Sequence, residues 1–237
     1  MATFDAGTNN LLRVAASGNA AAPTYGGVTL SVGTTVTTGA IDLSHGNLGV
    51  FERPSGSLII NGASRISNDS TLTVTAYSGQ GSLDLNGTMN IDGTSTVNMD
   101  NFSVSGHGTF HLTGEDALLR TGNVAAADTV KLDGGVLSLT SGLQFLGTIT
   151  DSAPAVSQIS PFAAVEVFNA YAAVRETFDR SSGMLDLFAS QGKAVANLHF
   201  GGSGDLYAAF NAAAGNGTGA MVISSHAAAN DLPTTYT

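Results

Sequence analysis

Gly81-Ser-Leu83-Asp-Leu85-Asn-Gly87-Thr-Met89-Asn-Ile91-Asp-Gly93, continuing to Val97-Asn-Met99 and Phe102-Ser-Val104-Ser-Gly106, alternates apolar and polar residues and is broken by glycine at 87, 93 and 106. Two apolar residues with one polar residue between them make a short strand with one buried face. Glycine admits the positive-φ corners that turn such strands through sharp angles. This stretch therefore predicts several short strands per unit, joined by tight corners.

Similar segments lie on both sides: Val28-Thr-Leu30-Ser-Val32, Gly56-Ser-Leu58-Ile-Ile60, Gly108-Thr-Phe110-His-Leu112 and Gly135-Val-Leu137-Ser-Leu139. Their first inward residues, Leu30, Leu58, Leu83, Phe110 and Leu137, recur at nearly equal intervals along the chain. Near-constant spacing marks a stacked repeat, because one unit cannot bury its inward face without neighbours above and below. The expected fold is all-β: a parallel β-helix of about five coils, with those five residues as its core ladder and a β-rich C-terminal cap. At about 4.8 Å per coil the shaft is roughly 24 Å long. An antiparallel sandwich is the alternative, since it too is built from short strands and turns. Ser31, Asp84, His111 and Ser138 are expected outward, in a ladder on the solvent face.

The units divide into residues 1–26, an N-terminal cap or lead-in strand; 27–150, the solenoid; and 151–237, a cap or small domain. Asp151-Ser-Ala-Pro154 and Ser160-Pro161 mark the second boundary. Within 162–178, Val167, Tyr171, Val174 and Phe178 have helical spacing, which predicts a short helix, although Val165 and Val167 alternate like a strand. Beyond it, Met184–Phe188 with Val195–Phe200, and Leu206–Phe210 with Ala220–Ile223, read as hairpins.

Composition narrows the function. Charged residues are 11% of the 237, with 8 basic against 18 acidic side chains and a net charge of −10. Phosphate binding needs a basic stripe, so nucleic acid is not an expected partner. There is no cysteine, which excludes disulfides, thiolate metal sites and cysteine nucleophiles. No run of about 20 apolar residues predicts membrane insertion, and the first residues show no signal-peptide pattern.

The search for chemistry gives no catalytic set. His107 and His111 are four apart but in strand context, and Asp84 beside His111 is expected as a solvated surface pair, not a metal site. Asp84, Asp92, Asp100 and Asp116 are the carboxylates a glycoside hydrolase would need in pairs. However, Asp92-Gly93 and Asp133-Gly134 read as turns, and the solenoid offers no tryptophan and only Arg53, Arg65, Arg120 and Lys131 as cations. Gly201-Gly-Ser-Gly204-Asp205 is one residue short of a calcium nonapeptide and occurs once, so it reads as a turn; no cofactor is expected, and calcium stays open but without a motif to support it. A regular Thr-x-Thr column that would suit ice or mineral is not visible.

Residues 81–91 and 108–114 resemble bacterial surface and exported β-strand-repeat proteins, among them autotransporter passenger-like β-helices. Stretches of the tail, 173–178, 183–188 and 197–207, are similar to the C-terminal part of long repeat proteins from alphaproteobacteria. The resemblance implies a non-enzymatic extracellular or cell-surface protein, exported without a visible N-terminal signal peptide. It implies a homo-oligomer or polymer: a filament, layer or matrix subunit. The alternative is an adhesin for a cell-surface glycan, with Tyr77 and Tyr207 as first binding candidates and Tyr25 and Tyr171 beside them. A polysaccharide-degrading enzyme is the third reading.

Overall fold

The computed structural model describes residues 2–4, 11–15, 26–32, 35–52, 57–76, 81–114, 116–151, 164–170, 172–201, 206–211, 220–224 and 234–236. Each predicted apolar–polar–apolar triplet of the quoted stretch is a strand with its apolar residues inside. Leu83, Leu85, Met89, Ile91, Val97, Met99, Phe102 and Val104 are all buried.

β1 (Ala2–Phe4) lies antiparallel to β2 (Leu11–Ala15), and from β2 the chain winds. The first winding is completed by β3 (Gly26–Val32) and β4 (Thr35–Thr38). The second holds β5 (Ala40–Ser44), β6 (Gly46–Glu52) and β7 (Ser57–Ile60). The third holds β8 (Ser64–Ser67), β9 (Thr71–Ala76) and β10 (Gly81–Leu85). In the fourth, β11 (Thr88–Ile91) precedes the long β12 (Thr96–Gly106), and in the fifth β13 (Thr109–Leu112) precedes β14 (Leu118–Val124). β15 (Thr129–Leu132), β16 (Val136–Leu139), β17 (Thr148–Asp151) and β18 (Ala164–Val167) extend the stack.

The windings make three parallel faces. Face one is β2-β5-β8-β11-β13-β15-β17. Face two is β3-β6-β9, the first halves of β12 and β14, then β16 and β18. Face three is β4-β7-β10 and the second halves of β12 and β14, closed by a parallel bridge from Val124 to Phe145. The fold is thus a parallel β-solenoid of five three-sided windings with a partial continuation, and the sandwich is excluded.

The corners explain how the chain turns so tightly. At the corner from face three to face one, a Cβ on Gly62 would lie 2.1 Å from the Gly39 carbonyl oxygen, and one on Gly87 2.1 Å from that of Gly62. Backbone rests directly on backbone there. At the next corner buried serines take the same part. The Gly46 N–H donates to Ser70 Oγ, and the Ser70 N–H to Ser95 Oγ, each at 3.3 Å. Those bonds satisfy amides that no strand ladder reaches. β12 turns its corner without a break: its residues 100–102 lie opposite the single Gly122 of β14, a bulge that bends the strand.

The register corrects the expected ladder. Leu58 and Leu83 are direct partners on face three. Phe110 is on face one, between Met89 and Val130. Leu30 and Leu137 are on face two, opposite Val50 and, for Leu137, Leu119 and Val165. Leu58, Leu83, Phe110 and Leu137 are all core residues, but a step as long as that from Leu83 to Phe110 overshoots a winding and lands on a different face. On face one the true steps run from Leu12 to Ile41, from Leu43 to Ile66, then to Ile91, Leu112 and Leu132, and from Val130 to Ile149. They are unequal, the first being the longest and the last the shortest. The expected outward ladder divides likewise: Ser31 and Ser138 belong to face two, Asp84 to face three and His111 to face one, and Ser138 is buried.

The helix expected over 162–178 gives way, in its described part, to β18, a single 3-10 turn at Phe168–Ala170 and β19 (Ala173–Asp179). Val174 is 49% exposed, so the proposed helical stripe does not face the core. The open edge of β16 supplies β18 with a full ladder, which a helix would have left unpaired.

β20 (Met184–Ala189) and β21 (Ala194–Phe200) follow β19 in an antiparallel meander that joins face one through β17. β22 (Tyr207–Asn211) and β23 (Ala220–Ser224) form an antiparallel hairpin on β18, and β24 (Thr234–Tyr236) pairs with β19. The tail therefore extends two faces of the shaft, and Phe178, Leu185, Leu187, Leu198 and Met221 join the same core cluster as the windings. The buried Glu176 carboxylate accepts the Ala208 N–H at 2.8 Å, tying β19 to β22 across the two sheets. Among the described residues no helix is long and apolar enough to cross a membrane.

Candidate functional site

The strands of face one are short, so each presents only two or three outward positions, and parallel pairing lines these up into columns. One column is Thr88, Thr109, Thr129 and Thr148. A uniform winding hides this threonine column, because it places these four residues on different faces. Beside it runs a column of mixed charge: Asp42, Arg65, Asn90, His111, Lys131 and Thr150.

Corner carboxylates neutralise the cations of this column. Arg65 donates from Nε and Nη2 to Asp92 Oδ2 at 3.2 and 2.9 Å. Asp133 Oδ2 takes His111 Nε2 at 2.5 Å and Lys131 Nζ at 3.0 Å, and His111 Nδ1 lies 3.2 Å from Asn90 Oδ1. Partial burial works to raise the Asp133 carboxyl, but the bonds from His111 and Lys131 and their charge outweigh it and hold it below the ordinary value. Asp92 and Asp133, expected as turn residues, are therefore also the counter-ions of the column.

Two further carboxylates are buried at the windings. Glu52 Oε2 accepts the Ser82 N–H at 3.0 Å, and Asp128 Oδ1 accepts the Gly108 N–H at 2.9 Å. The second oxygen of each is sealed and has no hydrogen-bond partner among the described residues. Burial pushes both above the ordinary carboxylate value, against the pull of those backbone bonds; at Asp128 the charge of His107 also lowers it and that of Asp84 raises it.

The sign for stability follows. Below the unfolded carboxylate range both states hold the Asp128 proton. As pH rises through that range the unfolded chain releases it first, so this group lowers stability as pH rises. Asp128→Asn keeps the acceptor for Gly108 and removes the ionisation. The variant should lose less of its urea midpoint than the parent between about pH 4 and pH 7. Superimposable pH profiles would show that Asp128 ionises as freely in the folded chain as in the unfolded one.

The other sequence candidates are not brought together. Asp84 neighbours Ile59 and Ser105 on face three, not His111. Asp92 is paired with Arg65, and Asp116 is exposed in the turn before β14. Asp100 sits at the β12 bulge, with its N–H on Asn98 Oδ1 at 3.1 Å and its carboxylate 3.6 Å from Arg120, whose guanidinium lies 5.5 Å from the Phe168 ring centre. Among the described residues no three histidine or carboxylate side chains are placed to share a metal ion. Tyr25, Tyr77, Tyr171, Arg53 and most of the calcium-like stretch, 202–205, lie outside the described residues; Tyr207 lies in β22, but its side chain is outside them too.

No protein-family model matches this chain, and no curated protein matches it in sequence. What the geometry establishes is a repeat-built β-solenoid with a polar column on one face whose Arg65, His111 and Lys131 are paired with carboxylates.

Proposed function

We propose that this chain is a non-enzymatic structural protein that assembles with copies of itself outside the cell or on its surface, as a filament, layer or matrix subunit. The observation that carries this reading is the edge at the first winding. Among the described residues β3 has one strand partner, β6, and β4 has one, β7. Among the described residues no strand pairs with the other side of β3. Such an edge templates pairing with another chain. At the far end of the same sheet β22 forms an antiparallel edge. Unlike ends that meet head to tail build an open polymer wherever the rotation between copies does not close a ring.

The resemblance to exported bacterial repeat proteins supports the extracellular part of the reading. Sedimentation velocity across a concentration series, with electron microscopy of the same samples, tests the assembly. Species should grow with concentration, and Thr37→Lys, which puts a charge on the exposed edge of β4, should reduce them. A chain that stays monomeric throughout the series overturns the proposal.

A further inference from the structure

Level with one another at the corner from face three to face one stand Gly39, Gly62, Gly87, Gly108, Asp128 and Gly147. Asp128 is the single residue of this column that has a side chain. It ties three rungs together. Its Oδ1 accepts the Gly108 N–H at 2.9 Å, its neighbour Thr129 donates an N–H to the Gly108 carbonyl at 2.9 Å, and its own carbonyl accepts the Thr148 N–H at 3.0 Å. The residue is fully buried, and Oδ2 has no hydrogen-bond partner among the described residues.

That arrangement suits a neutral carboxyl better than an anion. A neutral oxygen without a partner is a modest cost, whereas a negative one sealed from water and unpaired is a large one. Water can reach the group by a short route. Asp128 ends the turn 125–128, whose other members are all alanine, with Ala126 and Ala127 exposed. Within the turn one backbone bond closes it, from the Asp128 N–H to the Ala125 carbonyl at 3.1 Å. The turn contributes no large side chain to the core, so opening it leaves the core packed.

We propose that Asp128 is a proton-dependent latch on the joint between the fifth winding and the strands above it. With the carboxyl protonated the corner stays closed. When it ionises, turn 125–128 opens to water, and the Gly108, Thr129 and Thr148 amides lose protection while the windings below stay packed. Units of unequal stability within one fold permit such local opening. Two charged groups bear on Asp128: His107 at the corner below favours the anion, and Asp84 on β10 opposes it. On the side above, residues 144–147 include no titratable side chain.

Hydrogen exchange between about pH 4 and pH 7, corrected for intrinsic rates and read by NMR, tests the latch. Below the ordinary aspartate range the closed and the open corner both hold the proton. As pH rises through that range the open corner releases it first. Protection of Gly108, Thr129 and Thr148 should then fall by up to about tenfold per pH unit, until the closed corner ionises too. The Asn86 amide, bonded to the Ile60 carbonyl at the Gly87 corner, is the control and should not follow. Asp128→Asn keeps the acceptor for Gly108 and should hold the three amides at one level across the range. Asp84→Asn removes the opposing charge and should end the fall at a lower pH. If Asp128→Asn fails to fold, Asp84→Asn still decides, because a corner without the latch does not respond to it. Protection that stays level with pH in the parent overturns the proposal. So does a fall that Asp128→Asn leaves unchanged or that Asp84→Asn does not shift.

Discussion

Phe110→Ala should lower the free energy of unfolding by about 3–5 kcal/mol, read from the urea midpoint at unchanged slope. Phe110 is fully buried on β13, between Met89 of the winding below and Val130 of the winding above. Truncating it removes the transfer energy of a large ring and leaves a cavity in a stack that cannot collapse easily. The backbone around the void is held at the strand spacing by parallel ladders on both sides, so neighbours can close in only by side-chain movement. Phe110→Leu keeps most of the volume and should cost less than about 1.5 kcal/mol. Equal losses for the two would mean the ring does not fill its space, and a loss under about 1 kcal/mol for alanine would contradict the packing itself.

Gly87→Ala should be about as damaging, at about 3 kcal/mol or more, though it adds one methyl to a surface corner. The new Cβ would lie 2.1 Å from the Gly62 carbonyl oxygen and 2.6 Å from its carbon. Both are backbone atoms of the winding below, so no rotamer change relieves the clash, and the windings must separate. Gly192→Ala is the control. Its φ is +74° with nothing within 4 Å, so it meets only the left-handed backbone penalty, about 1–2 kcal/mol. If thermal melts rank Gly87→Ala at or below Gly192→Ala, the corner glycines are not in backbone contact and the windings are looser than the geometry requires.

The strands were legible because alternation is written residue by residue. Leu83/Leu85, Met89/Ile91 and Val97/Met99 each state that one side is buried. What alternation does not state is which face a strand occupies. Gly81-Ser-Leu-Asp-Leu, Gly108-Thr-Phe-His-Leu and Gly135-Val-Leu-Ser-Leu look alike, yet they sit on faces three, one and two. A short half-buried strand needs the same pattern on any of the three. The face is decided by the lengths of the corners, and those carry weaker marks than glycine alone. At the β12 corner, residues 100–102 turn the chain without any glycine.

The candidate site depended on that missing information. Asp42, Arg65, Asn90, His111 and Lys131 are far apart in sequence and become one column only at the true, unequal spacing. Sequence pairs His111 with Asp84 because both follow a Gly-x-Φ pattern, and that pattern is shared between faces. In the tail, Val167, Val174 and Phe178 mimic a helical stripe. The free edges of β16 and β20 made extended pairing available, and tertiary context overrode the local period.

The steps along face one, longest between Leu12 and Ile41 and shortest between Val130 and Ile149, bear on how the chain avoids misfolding. A solenoid of identical units can slip, because a strand that docks one rung too high still meets a suitable neighbour. Here a slipped strand would drag a loop of the wrong length, and its corner glycines would fall out of line with those beneath. Graded circumference therefore works like the wards of a key: it penalises every shifted alignment and leaves one threading of the chain favoured over the rest.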